Sequence, residues 1–108
     1  MRRFFRLVKH NPPVLDDFKS NLALGKEPRN PSADLLRRWD AISVTATEEL
    51  ARELFRLHGP RLGRFIADFE VDERDMRNVE EDADMPGHFE LWCDAEPCLR
   101  GLRAIIEL

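Results

Sequence analysis

The stretch "WDAISVTATEELARELF", Trp39 to Phe55, decides the fold class, because a strand pattern passes directly into a helix pattern. The run "AISVT" (41–45) is short, apolar and rich in β-branched residues, which is typical of a buried strand. The next residues, 47–57, place leucines at helical spacing, and Thr47 stands where a helix N-cap is expected. A strand joined this closely to a helix predicts a domain in which a sheet is covered by helices.

The rest of the chain alternates between the same two patterns. Period-2 alternation predicts strands at 3–9, 64–71, 88–93 and 102–108, with a weak strand at 75–80. Helical spacing predicts helices over 14–25, over a short segment with Asn30 as its cap and Pro31 as its first residue, and over 94–101 with Asp94 as its cap. We therefore expect a single α+β domain, 1–108, with a small mixed or antiparallel sheet and three to four helices.

Length and composition limit the class of protein. The chain has 108 residues, 43% of them hydrophobic and 35% charged, as expected of one well-solvated globular domain. No apolar run approaches the ~20 residues that a membrane helix needs. The basic start "MRRFFRLVKH" lacks the uncharged core of a signal peptide, so we expect a cytoplasmic protein without a membrane partner.

Charge is distributed unevenly along the chain. Residues 1–40 carry nine Lys/Arg and five Asp/Glu, whereas residues 41–108 carry eight and sixteen. Nine acids fall within 68–84, "DFEVDERDMRNVEEDAD". Such a charge balance argues against broad nucleic-acid binding. The acidic segment 68–84 is either a solvated connection between strands or a surface that docks on a basic protein partner.

The chain lacks the usual metal and nucleophile motifs. Cys93 and Cys98 are separated by four residues and have no second pair of ligands nearby, so no metal site is predicted, and reduced thiols are expected. There is no G-x-S-x-G motif and no glycine-rich phosphate loop. These absences exclude the nucleotide-binding classes that depend on a P-loop or a Rossmann fingerprint.

Arg6 is the most informative polar residue. It lies in the middle of the first predicted strand, on the face shared by Phe4 and Val8. A buried arginine needs an anionic partner. Either the strand is at a sheet edge with Arg6 in solvent, or Arg6 lines a cleft where its guanidinium meets a phosphate or carboxylate.

Two further strands place polar side chains together. Ser43 and Thr45 share one face of the short strand, opposite a core face formed by Ile42 and Val44. They are either outward-facing residues or a hydroxyl pair that lines a cleft.

His88 and Glu90 share a face of a later strand, with Trp92 beyond them. A histidine in this position is either an ordinary polar residue at a strand start or a proton shuttle. Trp39 and Trp92 are either core residues or flat surfaces for a nicotinamide or adenine ring.

The order of these elements resembles the ADP-ribosyltransferase-like fold. The segments that carry the resemblance are "FFRLVK", "ISVTAT", "TEELARELF", "GRFIADFEV", "HFELW" and "DAEPCL". The chain is most similar to small bacterial proteins of that type with no assigned activity. The resemblance implies that a hydroxyl-bearing strand and the helix after it form one wall of a cleft for NAD.

The resemblance also implies roles for particular residues. Arg6 would contact NAD, Ser43 would support the nicotinamide ribose and Glu90 would promote transfer. From their own positions and chemistry, His88 is a further catalytic candidate, and Thr45 and Trp39 are further candidates for the binding site. The chain has no Q-x-E or E-x-E motif and no Tyr. Two functions therefore stay open: a domain that binds NAD or a related nucleotide, and a non-catalytic interaction module, such as an antitoxin-like protein or an accessory subunit, that uses the acidic segment.

Overall fold

The computed structural model describes all residues, 1–108, as one sheet with helices on both faces. The six strands are β1 (Arg2–Val8), β2 (Ile42–Thr45), β3 (Phe65–Val71), β4 (Met76–Glu81), β5 (His88–Cys93) and β6 (Leu102–Glu107). The three α-helices are α1 (Ala33–Trp39), α2 (Glu48–His58) and α3 (Ala95–Arg100). The predicted α+β class is confirmed, and the weak strand predicted at 75–80 is present as β4.

All neighbouring strands are antiparallel, in the order β4-β5-β2-β1-β3-β6. Strand β1 is therefore central, which excludes the edge-strand explanation of Arg6. Its ladder with β3 runs along the whole strand, from Arg2 opposite Val71 to Val8 opposite Phe65. On its other side, β1 pairs with β2 at a single position, Phe5 opposite Thr45.

The core lies on both faces of the sheet. The larger cluster includes Phe4, Phe18, Phe69 and Cys98, and it is covered by α3 and by a 3₁₀ turn, Leu15–Phe18. The smaller cluster joins Phe5, Leu7 and Ile66 to Ala51 of α2. Alternating residues of β1 serve the two clusters, as period-2 geometry requires.

Helix α2 begins and ends for identifiable local reasons. The Thr47 hydroxyl accepts a hydrogen bond from the Leu50 amide at 3.2 Å, as predicted for the N-cap. Two acids, Glu48 and Glu49, occupy the first turn, where the helix dipole favours negative charge. The helix ends at Gly59, whose φ of 67° is readily adopted only by glycine.

The helix predicted over 14–25 is wrong. The segment instead forms the 3₁₀ turn Leu15–Phe18 and a separate hydrogen-bonded turn over 21–25, and the backbone is extended at Lys19 between them. The Asp17 carbonyl, which would accept a helical hydrogen bond, instead accepts one from the Arg6 guanidinium at 2.8 Å. A tertiary hydrogen bond thus replaces the helix that the local pattern favours.

The predicted cap of the next helix is also wrong. Asn30 has a φ of 48° and lies before the helix. Ser32 is the N-cap, and its hydroxyl accepts a hydrogen bond from the Leu35 amide at 3.1 Å. Asp94 does occupy the N-cap position of α3, but its carboxylate binds Arg77 rather than the helix backbone.

None of the helices combines the length and apolar character that crossing a membrane requires.

Candidate functional site

The cleft that contains most of the predicted site residues opens where the pairing of β1 with β2 ends, and we call it the main cleft. It has a volume of about 450 Å³ and is walled by β1, β2 and β5, by residues 19–21, and by the C-terminal end of α2. Four of the predicted site residues line it: Arg6, Ser43, His88 and Glu90. The structure therefore brings together residues from three strands that are far apart in sequence.

Arg6 holds the two walls together at this point. Its Nε donates to the Asp17 carbonyl at 2.8 Å, and its Nη1 donates to the Ser43 carbonyl at 2.7 Å. No carboxylate lies within ion-pairing distance of Arg6. Burial lowers the pKa of Arg6 to about 10, so the side chain remains charged at neutral pH. A partly buried positive charge without an anionic partner is the main electrostatic feature of the site.

Asp17 is the nearest acid, but its carboxylate is already occupied. It accepts the backbone amides of Lys9 and Val14 at 3.0 and 2.9 Å, and it lies 3.0 Å from the His10 Nδ1. Only 3% of the Asp17 side chain is exposed. These contacts fix the loop between β1 and the 3₁₀ turn and leave Arg6 only a backbone carbonyl of Asp17.

Glu90 faces the cleft from β5. It is the register partner of Ser43 on β2 and of Glu80 on β4, so the three side chains form a row across the sheet. The Glu80 carboxylate is bound by Arg37, whereas the Glu90 Oε2 is buried and has no hydrogen-bond partner. Ser43 is exposed beside it. The row thus contains a buried, unpartnered carboxylate oxygen on β5 and an exposed serine on the neighbouring strand β2.

His88 lies one register step from Glu90 on the same face of β5. It is opposite Thr45, and its amide donates to the Met85 carbonyl at 3.1 Å. An imidazole at the cleft wall is able to donate or accept a hydrogen bond with a ligand.

Two predicted binding residues do not reach the cleft. Thr45 is 1% exposed, and its hydroxyl donates to the Thr47 carbonyl at 2.8 Å. Trp39 ends α1, where its carbonyl accepts a hydrogen bond from the Leu22 amide at 3.3 Å. Neither residue lines the cleft, and the expectation that Thr45 and Trp39 contact a ligand stays a prediction. The confirmed core positions of Ile42 and Val44 explain why Thr45 is covered: β2 is buried on both faces at this end.

Several lining residues had no signal in the sequence. Lys19 and Asn21 belong to the segment predicted as helix, and His58 ends α2. Polar residues at such positions are ordinarily solvent-exposed. Only the strand order and the return of the chain after the 3₁₀ turn bring them to the cleft.

The acidic segment 68–84 is largely neutralised within the chain. Six of its nine acids form ion pairs, and these are Asp68 with Arg3, Glu70 with Arg103, Asp72 with Arg74, Glu73 with the N-terminus, Asp75 with Arg100 and Glu80 with Arg37. Glu81, Asp82 and Asp84 remain without one. This arrangement leaves little unpaired negative charge for a basic partner.

The two cysteines are buried and free. Cys98 shares a hydrogen bond with Cys93, and that bond together with burial raises the pKa of the Cys98 thiol. No group of three or more His, Cys, Asp or Glu side chains is placed to hold a metal ion.

Comparison with known proteins gives no match: no family model, no curated protein and no solved structure is similar to this chain. Any functional conclusion therefore depends on the residues of the cleft themselves.

Proposed function

We propose that this chain is a small ADP-ribosyltransferase-like domain that binds NAD or a related nucleotide in the main cleft. The observation that carries the proposal is the charge on Arg6, which is partly buried and has two carbonyl partners but no carboxylate. A charge in this state is stabilised by an anionic ligand, and the guanidinium fork suits a phosphate. The remaining N–H groups of Arg6 are available for that ligand.

The other cleft residues fit the chemistry of a nucleotide. The Ser43 hydroxyl is exposed and suits a ribose hydroxyl as a hydrogen-bond partner. Leu7, Leu54 and Met85 give the cleft apolar walls for a ring. Arg6 and Ser43 would thus fix the orientation of a nucleotide between β1 and β2.

Glu90 and His88 supply groups that such a reaction uses. Cleavage of the nicotinamide–ribose bond builds positive charge on the ribose carbon, and a carboxylate aimed at that carbon stabilises it. Glu90 lines the cleft and would supply the carboxylate for this role. The His88 imidazole would accept the proton of the attacking group.

Calorimetric titration of NAD against the wild type, Arg6→Ala and Arg64→Ala tests the binding step. Arg64 is an exposed arginine that has no ion pair and does not line the cleft, so it controls for the loss of one charge. We expect saturable binding by the wild type and Arg64→Ala, and a loss of at least about tenfold in affinity for Arg6→Ala. Absence of wild-type binding up to millimolar NAD would refute the proposal.

A second measurement separates catalysis from binding. Release of nicotinamide by the wild type and its absence in Glu90→Gln, with NAD affinity unchanged, would assign Glu90 to the chemical step. Binding without release by the wild type would limit the function to nucleotide recognition.

A further inference from the structure

A second cleft adjoins the main cleft on the far side of Arg6. Its volume is about 490 Å³, and it is formed by the end of β1, by residues 16–26 and by the turn after α2. Arg6, Leu7, Lys19, Asn21 and Leu62 line both clefts. The two spaces are therefore parts of one groove that passes Arg6, and we call the second part the basic cleft.

The basic cleft is lined by most of the Lys/Arg side chains that form no ion pair within the chain. Ten of the 17 Lys/Arg side chains form ion pairs, and seven do not. Four of those seven line this one cleft, namely Arg6, Lys9, Lys26 and Arg61. In a protein whose net charge is −4, such a concentration makes the cleft a local attractor of anions.

The acids at the basic cleft cancel only part of its positive charge. Asp16 pairs with Lys19 at 2.9 Å. The Asp17 carboxylate is occupied by backbone amides and by His10. The Asp17 carboxylate still acts on Arg6 through its charge, so the five cations that line the cleft exceed its two acids by three.

We infer that the basic cleft binds a phosphate-rich group, consisting of a diphosphate together with a further phosphomonoester or a chain of three phosphates. This inference rests on the proposed function, since it assigns the phosphate-bearing end of a ligand whose nucleoside lies in the main cleft. A diphosphate bridge carries about two negative charges, which leaves part of the surplus of three positive charges unmatched, and an additional monoester supplies about 1.5 to 2 more. Arg6, at the junction, would contact the phosphate nearest the nucleoside, and Lys26 and Arg61 the outermost one.

The experiment compares two pairs of substitutions that change the net charge equally. Lys26→Gln/Arg61→Gln removes two cations of the basic cleft, and Arg29→Gln/Arg64→Gln removes two exposed cations that have no ion pair and lie outside it. All four positions are exposed, so the variants are expected to fold, and their denaturation midpoints verify this. The probes are inorganic phosphate, pyrophosphate and tripolyphosphate at one fixed ionic strength, because screening changes all such affinities.

We expect the wild type to bind tripolyphosphate at least about tenfold more tightly than phosphate. The affinity for tripolyphosphate should fall at least about tenfold in Lys26→Gln/Arg61→Gln and less than about threefold in Arg29→Gln/Arg64→Gln. Equal losses in both variants would indicate general charge attraction and overturn the inference, as would the absence of saturable tripolyphosphate binding by the wild type.

A second comparison distinguishes this inference from the proposed function. NAD and NAD with an extra phosphomonoester are titrated against the wild type, and we expect the phosphorylated form to bind at least about tenfold more tightly. Equal affinities would overturn the assignment of the extra phosphate. Tripolyphosphate binding without any binding of either dinucleotide would refute the proposed function but leave the phosphate-rich site.

Discussion

The Arg6 Nη1 donates to the Ser43 carbonyl at 2.7 Å, so one side chain joins β1 to β2 where their backbone pairing stops. The same guanidinium binds the Asp17 carbonyl and fixes the 3₁₀ turn. One arginine therefore connects three segments and forms the floor shared by the two clefts.

We predict that Arg6→Ala destabilises the fold as well as weakening ligand binding. The substitution leaves the carbonyls of Asp17 and Ser43 without their partner. The bond to Asp17 is partly buried and the bond to Ser43 is exposed, so we expect a cost of about 1 kcal/mol, the lower end of the range for a lost partner. Urea denaturation measures the difference, with Arg64→Ala as a control that we expect to change the free energy of unfolding by less than about 0.5 kcal/mol. Equal stability of Arg6→Ala and the control would show that the two carbonyl bonds do not support the fold.

We expect substitution of Glu90 to leave the stability of the fold intact, in contrast to substitution of Arg6. Glu90 is directly opposite Glu80 on β4, and like charges directly opposite each other in a sheet are destabilising. We predict that Glu90→Gln leaves the free energy of unfolding unchanged or raises it by up to about 1 kcal/mol, while nicotinamide release is lost.

The control for this prediction is Glu107→Gln on the edge strand β6, where an exposed glutamate has no ion pair. It should change neither stability nor turnover. A clear loss of stability in Glu90→Gln alone would mean that the carboxylate has a structural role, and it would argue against Glu90 as a catalytic residue.

The strands could be predicted from the sequence because their pattern of alternation is local. Alternation within "RRFFRLV" and "FIADFEV" corresponds to the two buried faces of β1 and β3, which pair residue by residue. The absence of a helix over 14–25 could not be predicted from the sequence. The hydrogen bond from Arg6 to the Asp17 carbonyl competes with the helix, and Arg6 lies outside the segment. A local pattern carries no information about such a competitor.

Part of the cleft could be predicted from the sequence for the same reason. A mid-strand arginine and polar residues on two strand faces marked Arg6, Ser43, His88 and Glu90, and the strand order brings all four together. Thr45 followed the same face pattern as Ser43, yet it is covered by the start of α2, which only the tertiary arrangement determines. The basic cleft depends on which cations lack an ion pair, and this is a property of the whole fold.

The contribution of the ion pair between Asp68 and Arg3 to stability can be tested by changing the pH. Its carboxylate is bound by the Arg3 guanidinium at 2.8 and 2.6 Å, and this bond holds the pKa of Asp68 below its ordinary value. Because the pKa in the folded state is lower than in the unfolded state, the pair stabilises the fold above the unfolded value of about 4 and loses that effect as pH falls through the folded value.

We therefore predict that Asp68→Asn is less stable than the wild type at pH 7, and that the two converge as pH falls below about 4. Urea denaturation from pH 2 to pH 7 measures the difference in the free energy of unfolding. Asp84→Asn is the control, since Asp84 is exposed and has no ion pair, and it should match the wild type throughout. A difference that persists undiminished at pH 2 would exclude the ion pair as its cause.

Gly63 and Gly25 form a matched pair that separates backbone strain from steric contact. Both have positive φ, 136° and 82°. A Cβ at Gly25 would meet nothing within 4 Å, whereas a Cβ at Gly63 would lie 2.2 Å from the Val8 carbonyl oxygen. Val8 cannot move away easily, because it pairs with Phe65 in the central ladder of β1 and β3.

We predict that Gly25→Ala costs about 1 to 2 kcal/mol, the cost of positive φ alone. Gly63→Ala should cost more than about 3 kcal/mol, because the alanine combines a backbone conformation that is essentially restricted to glycine with a direct clash. Chemical denaturation of both variants gives the comparison. If the two substitutions cost the same, the chain relieves the contact by shifting the turn after α2, and the wall that Leu62 contributes to both clefts would not be rigid.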